Sequence, residues 1–207
     1  LPSDQNTSTC FGRNGDKVNI NQTKNMIELD LMFKADSTAS MNIILRATDT
    51  ATGKEGEIKV AEIKGLIKNG KISPNTWYTF SAKAYKNEGI VTTEIKNQNG
   101  ATVYKGDNIN SDLAKTIKGY KFQCLRDADT GYSQYLFVDE IKMFQADDEM
   151  TVPLETNLFT EDFESYTENS YLNPDGSKVW DSSYIGGSQF VKDTDRNGMV
   201  LKVQDYD

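Results

Sequence analysis

Apolar residues recur at every second position over most of this chain, and seldom at every third or fourth. In "NMIELDLMFKA" Ile27, Leu29, Leu31 and Phe33 fall on one face and Glu28 and Asp30 on the other, the pattern of a half-buried strand. The same period predicts strands in "SMNIILRAT", "TWYTFSAKAY", "TIKGYKFQCLR" and "SQYLFVDEIKMFQ". The segment "GEIKVAEIKGLIKNGKI" predicts a hairpin turning at Lys64 to Gly65 or at Asn69 to Gly70, and "GIVTTEIKNQNGATVYKG" a second one at Asn99 and Gly100. Only "NSDLAKTI" offers a helical turn, capped by Ser111 or Asn110. Residues 148–157 are acidic and aperiodic, which predicts a linker, and beyond them the strand pattern resumes in "LFTEDFESY", "SQFVKD" and "GMVLKVQDY". Strands spaced roughly ten residues apart predict an all-β, antiparallel β-sandwich with at most one or two short helical turns. The missing helices exclude a parallel α/β fold.

Composition narrows the function more than the fold. The net charge of −8 leaves no dense basic face, so nucleic acid and anionic membranes are not expected partners. No run approaches the roughly 20 apolar residues of a membrane span, and "LPSDQNTSTC" has no basic and apolar leader, so a soluble chain whose export signal has been removed is expected. There is no histidine, which excludes every mechanism needing an imidazole. Cys10 and Cys124 lie far apart without CxxC spacing, which leaves one disulfide or two buried thiols.

The order of a strand, "W-Y-x-F", a hairpin with N-G and a closing strand "YLFVDEIKMF" resembles the concanavalin A-like lectin/glucanase sandwiches, including laminin-G-like and carbohydrate-binding jelly rolls. In that family the opening strand commonly resembles "DFESYTENS", which here stands near the end of the chain. The resemblance therefore implies that residues 1–147 and 158–207 together form one sandwich, in permuted order. Alternatively, 158–207 begins a second tandem repeat that completes the first part within one chain or by strand exchange between copies, because half a sandwich cannot bury its apolar face.

Three constellations are candidates for chemistry. In "QYLFVDEIKMF" alternation puts Phe137, Asp139, Ile141 and Met143 on one face, which aims Asp139 at the core, where an unpaired carboxylate is costly. The resemblance implies a structural Ca²⁺ held by Asp139 with Glu161, Asp162 or Glu164; the plainer reading bonds Asp139 to turn amides and leaves the other acids in solvent. Glu28 and Asp30 have the i, i+2 spacing of paired glycosidase carboxylates, but the third acid of related glucanases is replaced by Leu31, Met32 or Phe33, so a solvated strand face is the simpler account. "YKFQCLR" and "AKAYK" hold the Tyr, Lys and Arg of a lyase and are more simply strand residues.

Sugar binding asks for flat aromatic faces among hydroxyl-binding polar groups. The loop "SKVWDSSYIGGSQF" supplies Trp180, Tyr184 and Gln189, and "RDADTGYSQY" supplies Arg126, Tyr132 and Tyr135; Trp77 is expected to pack at the core edge instead. These readings converge on a non-catalytic carbohydrate-binding module from an extracellular or cell-surface, bacterial polysaccharide-binding or polysaccharide-degrading protein, with polysaccharide or oligosaccharide as its partner. The rivals are a glycoside hydrolase or polysaccharide lyase domain, and a structural or adhesive surface repeat.

Overall fold

The computed structural model describes residues 7–13, 20–125, 135–147, 156–171 and 188–204. Its strands are β1 (Thr7–Arg13), β2 (Met26–Ala35), β3 (Met41–Thr48), β4 (Glu55–Glu62), β5 (Trp77–Tyr85), β6 (Ile90–Asn97), β7 (Thr102–Lys105), β8 (Ile109–Asn110), β9 (Ile117–Leu125), β10 (Tyr135–Ala146), β11 (Thr156–Glu161), β12 (Gln189–Asp193) and β13 (Gly198–Gln204). The smaller sheet runs β1-β9-β3-β4 and the larger β12-β13-β10-β2-β5-β6-β7, with β11 beside β10 and β8 beside β6. The pairings are antiparallel, as in the all-β sandwich the periodicity predicts. No helix among the described residues is long and apolar enough to cross a membrane.

The core lies between the two sheets. Leu29, Leu31 and Phe33 of β2 and Phe80 of β5 meet Ile43 and Leu45 of β3 and Tyr120 and Phe122 of β9, all buried. The alternate residues of β2 and β5 are left on the outer face of the larger sheet, which follows directly from the two-residue period of a strand.

β10 organises the larger sheet. One edge pairs along its length with β2; the other pairs first with β13 and then with β11. Residues 156–161 and 198–204 thus enter the same sheet as β2 within one chain. Midway along β10 the register against β2 slips between Asp139 and Lys142, and Glu140 takes a left-handed backbone with φ 46°. This bulge corrects the simple alternation. Leu136 and Val138 face the core before it, and Ile141 and Met143 after it, whereas Phe137 and Asp139 stand opposite Lys34 and Met32 on the outer face. An inserted residue reverses the side on which every later side chain emerges.

Three other elements depart from the sequence reading. The first expected hairpin turn is instead a short helix, α1 (Ile63–Lys68), which buries Ile63 and Leu66 in the core. Their i, i+3 spacing is helical, and burial outweighs the strand propensity of the flanking residues. β1 lacks apolar alternation, yet it pairs with β9, placing Ser8 opposite Cys124. The side chains of Cys10 and Cys124 lie outside the described part of the structure. Finally, the strand in "LFTEDFESY" ends at Glu161, where Phe163 at φ 60° turns the chain and is itself fully buried against Phe190 and Tyr166. The Ser111 hydroxyl accepts from the Leu113 amide and caps a 3-10 turn over Asp112–Thr116, where the one expected helical turn falls.

Candidate functional site on the open face of the larger sheet

The outer face of β2, β5 and β6 carries a polar depression of about 150 Å³ lined by Glu28, Asp30, Thr79, Ser81, Lys83, Glu94 and Lys96. Strand register assembles it: Glu28 stands opposite Lys83, Asp30 opposite Ser81, and Ser81 opposite Glu94. Glu28 is only 6% exposed, with Ser81 Oγ donating to its Oε1 at 2.7 Å and Lys83 Nζ lying 3.0 Å from Oε2. Both oxygens of this carboxylate are therefore held in place. Burial works against the charge on Lys83, but the hydrogen bond and charge of Glu28 outweigh it and hold the ammonium above its ordinary pKa.

Asp30 differs from its neighbours. Lys83 serves Glu28, Lys96 serves Glu94 at 3.0 Å, and Lys142, opposite Asp30 on β10, serves Glu140 at 3.1 Å. Asp30 forms no ion pair among the described residues, and its Oδ1 is buried without a hydrogen-bond partner. Burial first, and then the negative charge of Glu28, push its pKa up to about 6, while the Ser81 hydroxyl and Lys83 pull the other way. The result is one carboxylate clamped by a lysine beside a second carboxyl that holds its proton to near-neutral pH. Glu94, by contrast, is drawn down by the Thr102 hydroxyl and Lys96. Sequence spacing picks out the Glu28 and Asp30 pair but not Ser81, Lys83 or Glu94, which come from other strands.

A second depression, of about 340 Å³, lies at the β10 bulge and is lined by Asp139, Glu140, Lys142, Thr160, Asp162, Glu164 and Arg196. Three of the acids considered for calcium, Asp139, Asp162 and Glu164, meet here, while the Glu161 carboxylate accepts from the Phe163 amide at 2.9 Å and the Tyr166 hydroxyl at 3.4 Å. Arg196, on the turn between β12 and β13, donates from Nε to Asp139 Oδ2 at 2.8 Å and from Nη2 to Glu140 Oε1. Asp162 accepts from the Glu164 amide and Glu164 from the Met199 amide. Burial raises the Asp139 carboxyl, and Arg196 and the Glu140 amide oppose it. This donor set does not fit a calcium ion as it stands, because a guanidinium already occupies the mouth of the carboxylates and such an ion requires about 6 to 8 oxygens around it. Among the described residues no group of three Asp, Glu, Cys or His side chains is arranged to hold a metal.

The same turn covers Trp77, which is 1% exposed on the outer face rather than at the core edge. Its indole nitrogen donates to Asp193 Oδ1 at 3.2 Å, and Lys34 and Arg196 lie 5.3 and 5.8 Å from its ring centre. Asp193 also pairs with Lys34, and its carboxyl is lowered: burial resists the charge, but Lys34 and the Arg196 amide more than offset it. Of the proposed sugar-binding residues, Tyr135 begins β10 half-buried, with Lys202 Nζ 3.8 Å from its ring centre, and Gln189 begins β12 and donates to the Asn169 carbonyl at 3.1 Å. Arg126, Tyr132, Trp180 and Tyr184 lie outside the described residues.

Fold and site together define an antiparallel β-sandwich with a charged, hydroxyl-bearing open face. No family model matches the sequence. No curated protein matches it either. Among solved structures it is similar to a chain from Parabacteroides distasonis ATCC 8503 described as a "Putative glycosyl hydrolase", at 15% identity and a TM-score of 0.33, over 66% of this chain and 98% of that one. A likeness of that size carries no argument about substrate.

Proposed function

We propose that the protein binds carbohydrate, as a non-catalytic module of an extracellular polysaccharide-binding or polysaccharide-degrading protein, through the open face of its larger sheet. The observation that carries this reading is the depression around Glu28 and Asp30, where fixed carboxyls and the Ser81 and Thr79 side chains offer acceptors and donors at the scale of sugar hydroxyls. Glu28 has both oxygens engaged and the depression is small, which favours holding a ligand over attacking one. Trp180 and Tyr184, which lie outside the described residues, are the aromatic candidates for sugar contact in this proposal. The test is retention on affinity gels cast with a panel of polysaccharides, for wild type, Ser81→Ala, Asp30→Asn and Trp180→Ala. Retention of wild type by at least one glycan, weakened in the Ser81 and Asp30 variants, supports the reading. Equal retention of all four proteins moves the site elsewhere, and no retention on any gel refutes carbohydrate binding.

One observation favours a second reading, glycoside hydrolysis at the same place. Asp30, which holds its proton up to a pH of about 6, stands beside Glu28, the two-carboxyl arrangement that an acid and base pair uses. Release of reducing ends from a retained glycan, abolished by Glu28→Gln, would establish it; intact glycan after long incubation rejects it.

A further inference from the structure

We propose that the Arg196 guanidinium stands in the place of a structural calcium ion, closing the C-terminal hairpin onto the β10 bulge without metal. The bulge makes Asp139 and Glu140 neighbours at one point of the sheet, and Glu140 holds the left-handed backbone that an unbranched non-glycine residue tolerates only under constraint. Asp139 is 4% exposed, so its carboxylate requires a fixed positive partner. A planar guanidinium fork meets two carboxylates with directed bonds, and here its Nε and Nη2 take one oxygen from each. The remaining oxygen of Asp139 accepts from the Glu140 amide at 2.8 Å, and Lys142 takes the other oxygen of Glu140 at 3.1 Å. The two carboxylates at the bulge are thus fully engaged by groups of this chain.

Asp162 and Glu164 complete the wall of the same depression from the turn after β11. Arg196 itself bonds the two acids of β10, while Glu164 ties the turn after β11 to the β12–β13 hairpin by accepting from the Met199 amide, so the three elements meet at one depression. Arg196 also lies 5.8 Å from the Trp77 ring centre, which brings β5 into the same closure. A divalent ion would join such segments through oxygens alone; Arg196 ties β10 to the β12–β13 hairpin through hydrogen bonds that need no ligand from solution.

Thermal melting of the whole chain, in EDTA and in millimolar calcium, tests this for wild type, Arg196→Ser and Arg196→Lys. Wild type should melt at the same temperature in both. Arg196→Ser should melt lower in EDTA by about 5–10 °C, as expected for breaking a largely buried pair in a chain of this size, and calcium should restore at least half of the loss. Arg196→Lys, which keeps the charge without the fork, should show a smaller loss. If the Ser variant does not fold in EDTA, refolding it into calcium reads the same outcome. A wild type destabilised by EDTA would mean that an ion is already part of the fold and overturns the proposal. So would an Arg196→Ser variant as stable as wild type, or one that calcium does not help.

Discussion

Replacing Asp30 with Asn should make this protein more stable at neutral pH while weakening its open face as a binding surface. The Asp30 carboxyl is raised from an ordinary value of about 3.9 to about 6, by burial and by the Glu28 charge. In the folded state the group therefore holds its proton through a range in which the unfolded chain has already lost it. Stability is fully present below a pH of about 4, declines as pH rises toward 6, and stays lost above that, because the folded state binds more protons across the interval. The difference corresponds to at most about 3 kcal/mol, and part-exposure of the pair to solvent screens it to about 1–2 kcal/mol. Asn cannot ionise, and its amide can donate to Glu28 as the protonated acid does, so the variant should melt about 3–6 °C above wild type at pH 7.5. Melting curves at half-unit steps from pH 4 to 8 provide the assay. The two proteins should coincide near pH 4 and separate progressively up to pH 6.5. Curves that stay parallel at every pH, or a variant less stable at pH 7.5, would refute the account of Asp30 as an uncompensated buried acid. Combined with weaker retention on glycan, a stabilised Asp30→Asn would also show that this carboxyl is kept for binding at the expense of stability.

Two further outcomes test the packing that builds the face. A Cβ on Gly198 would lie 2.2 Å from Glu164 Oε1, which accepts from the Met199 amide at 3.0 Å, so Gly198→Ala must displace that carboxylate and lower the melting temperature by about 2–4 °C; an unchanged melting temperature would show that the turn after β11 is not tied to β13 through Glu164. Leu66, 7% exposed, fastens α1 to the core, and Leu66→Ala should cost about 2–4 kcal/mol in urea unfolding; a loss below about half a kcal/mol would mean that the helix is a peripheral ornament of the β4–β5 connection.

Strand periodicity made most of the fold legible. Burial alternates from Leu29 on in β2, from Tyr78 on in β5 and along β6, because a sheet with one face on the core and one toward solvent imposes a two-residue repeat. The elements that depart from it have particular causes. Ile63 and Leu66 flank Lys64 and Gly65, which read locally as a hairpin turn, whereas their i, i+3 spacing fits a helix that buries both. β1 carries few apolar residues in alternation, so its pairing with β9 has no periodic signal in the sequence. Glu140 has no local signal for a left-handed backbone, so plain alternation through β10 aims Asp139 at the core, whereas the bulge leaves it on the outer face.

The candidate site divides in the same way. Glu28 and Asp30 are visible as a pair because they lie two positions apart on one strand, and the sequence alone determines that both leave by the face opposite Leu29 and Leu31. Their chemistry is a tertiary product. The lysine that clamps Glu28 comes from β5, the desolvation that raises Asp30 comes from the flanking strands, and the arginine that meets Asp139 stands fifty-seven positions away on another hairpin. Local sequence determines which way a strand side chain points, since that depends on backbone geometry between neighbours; which charges then face one another depends on strand register, and register is set by the packing of the whole core.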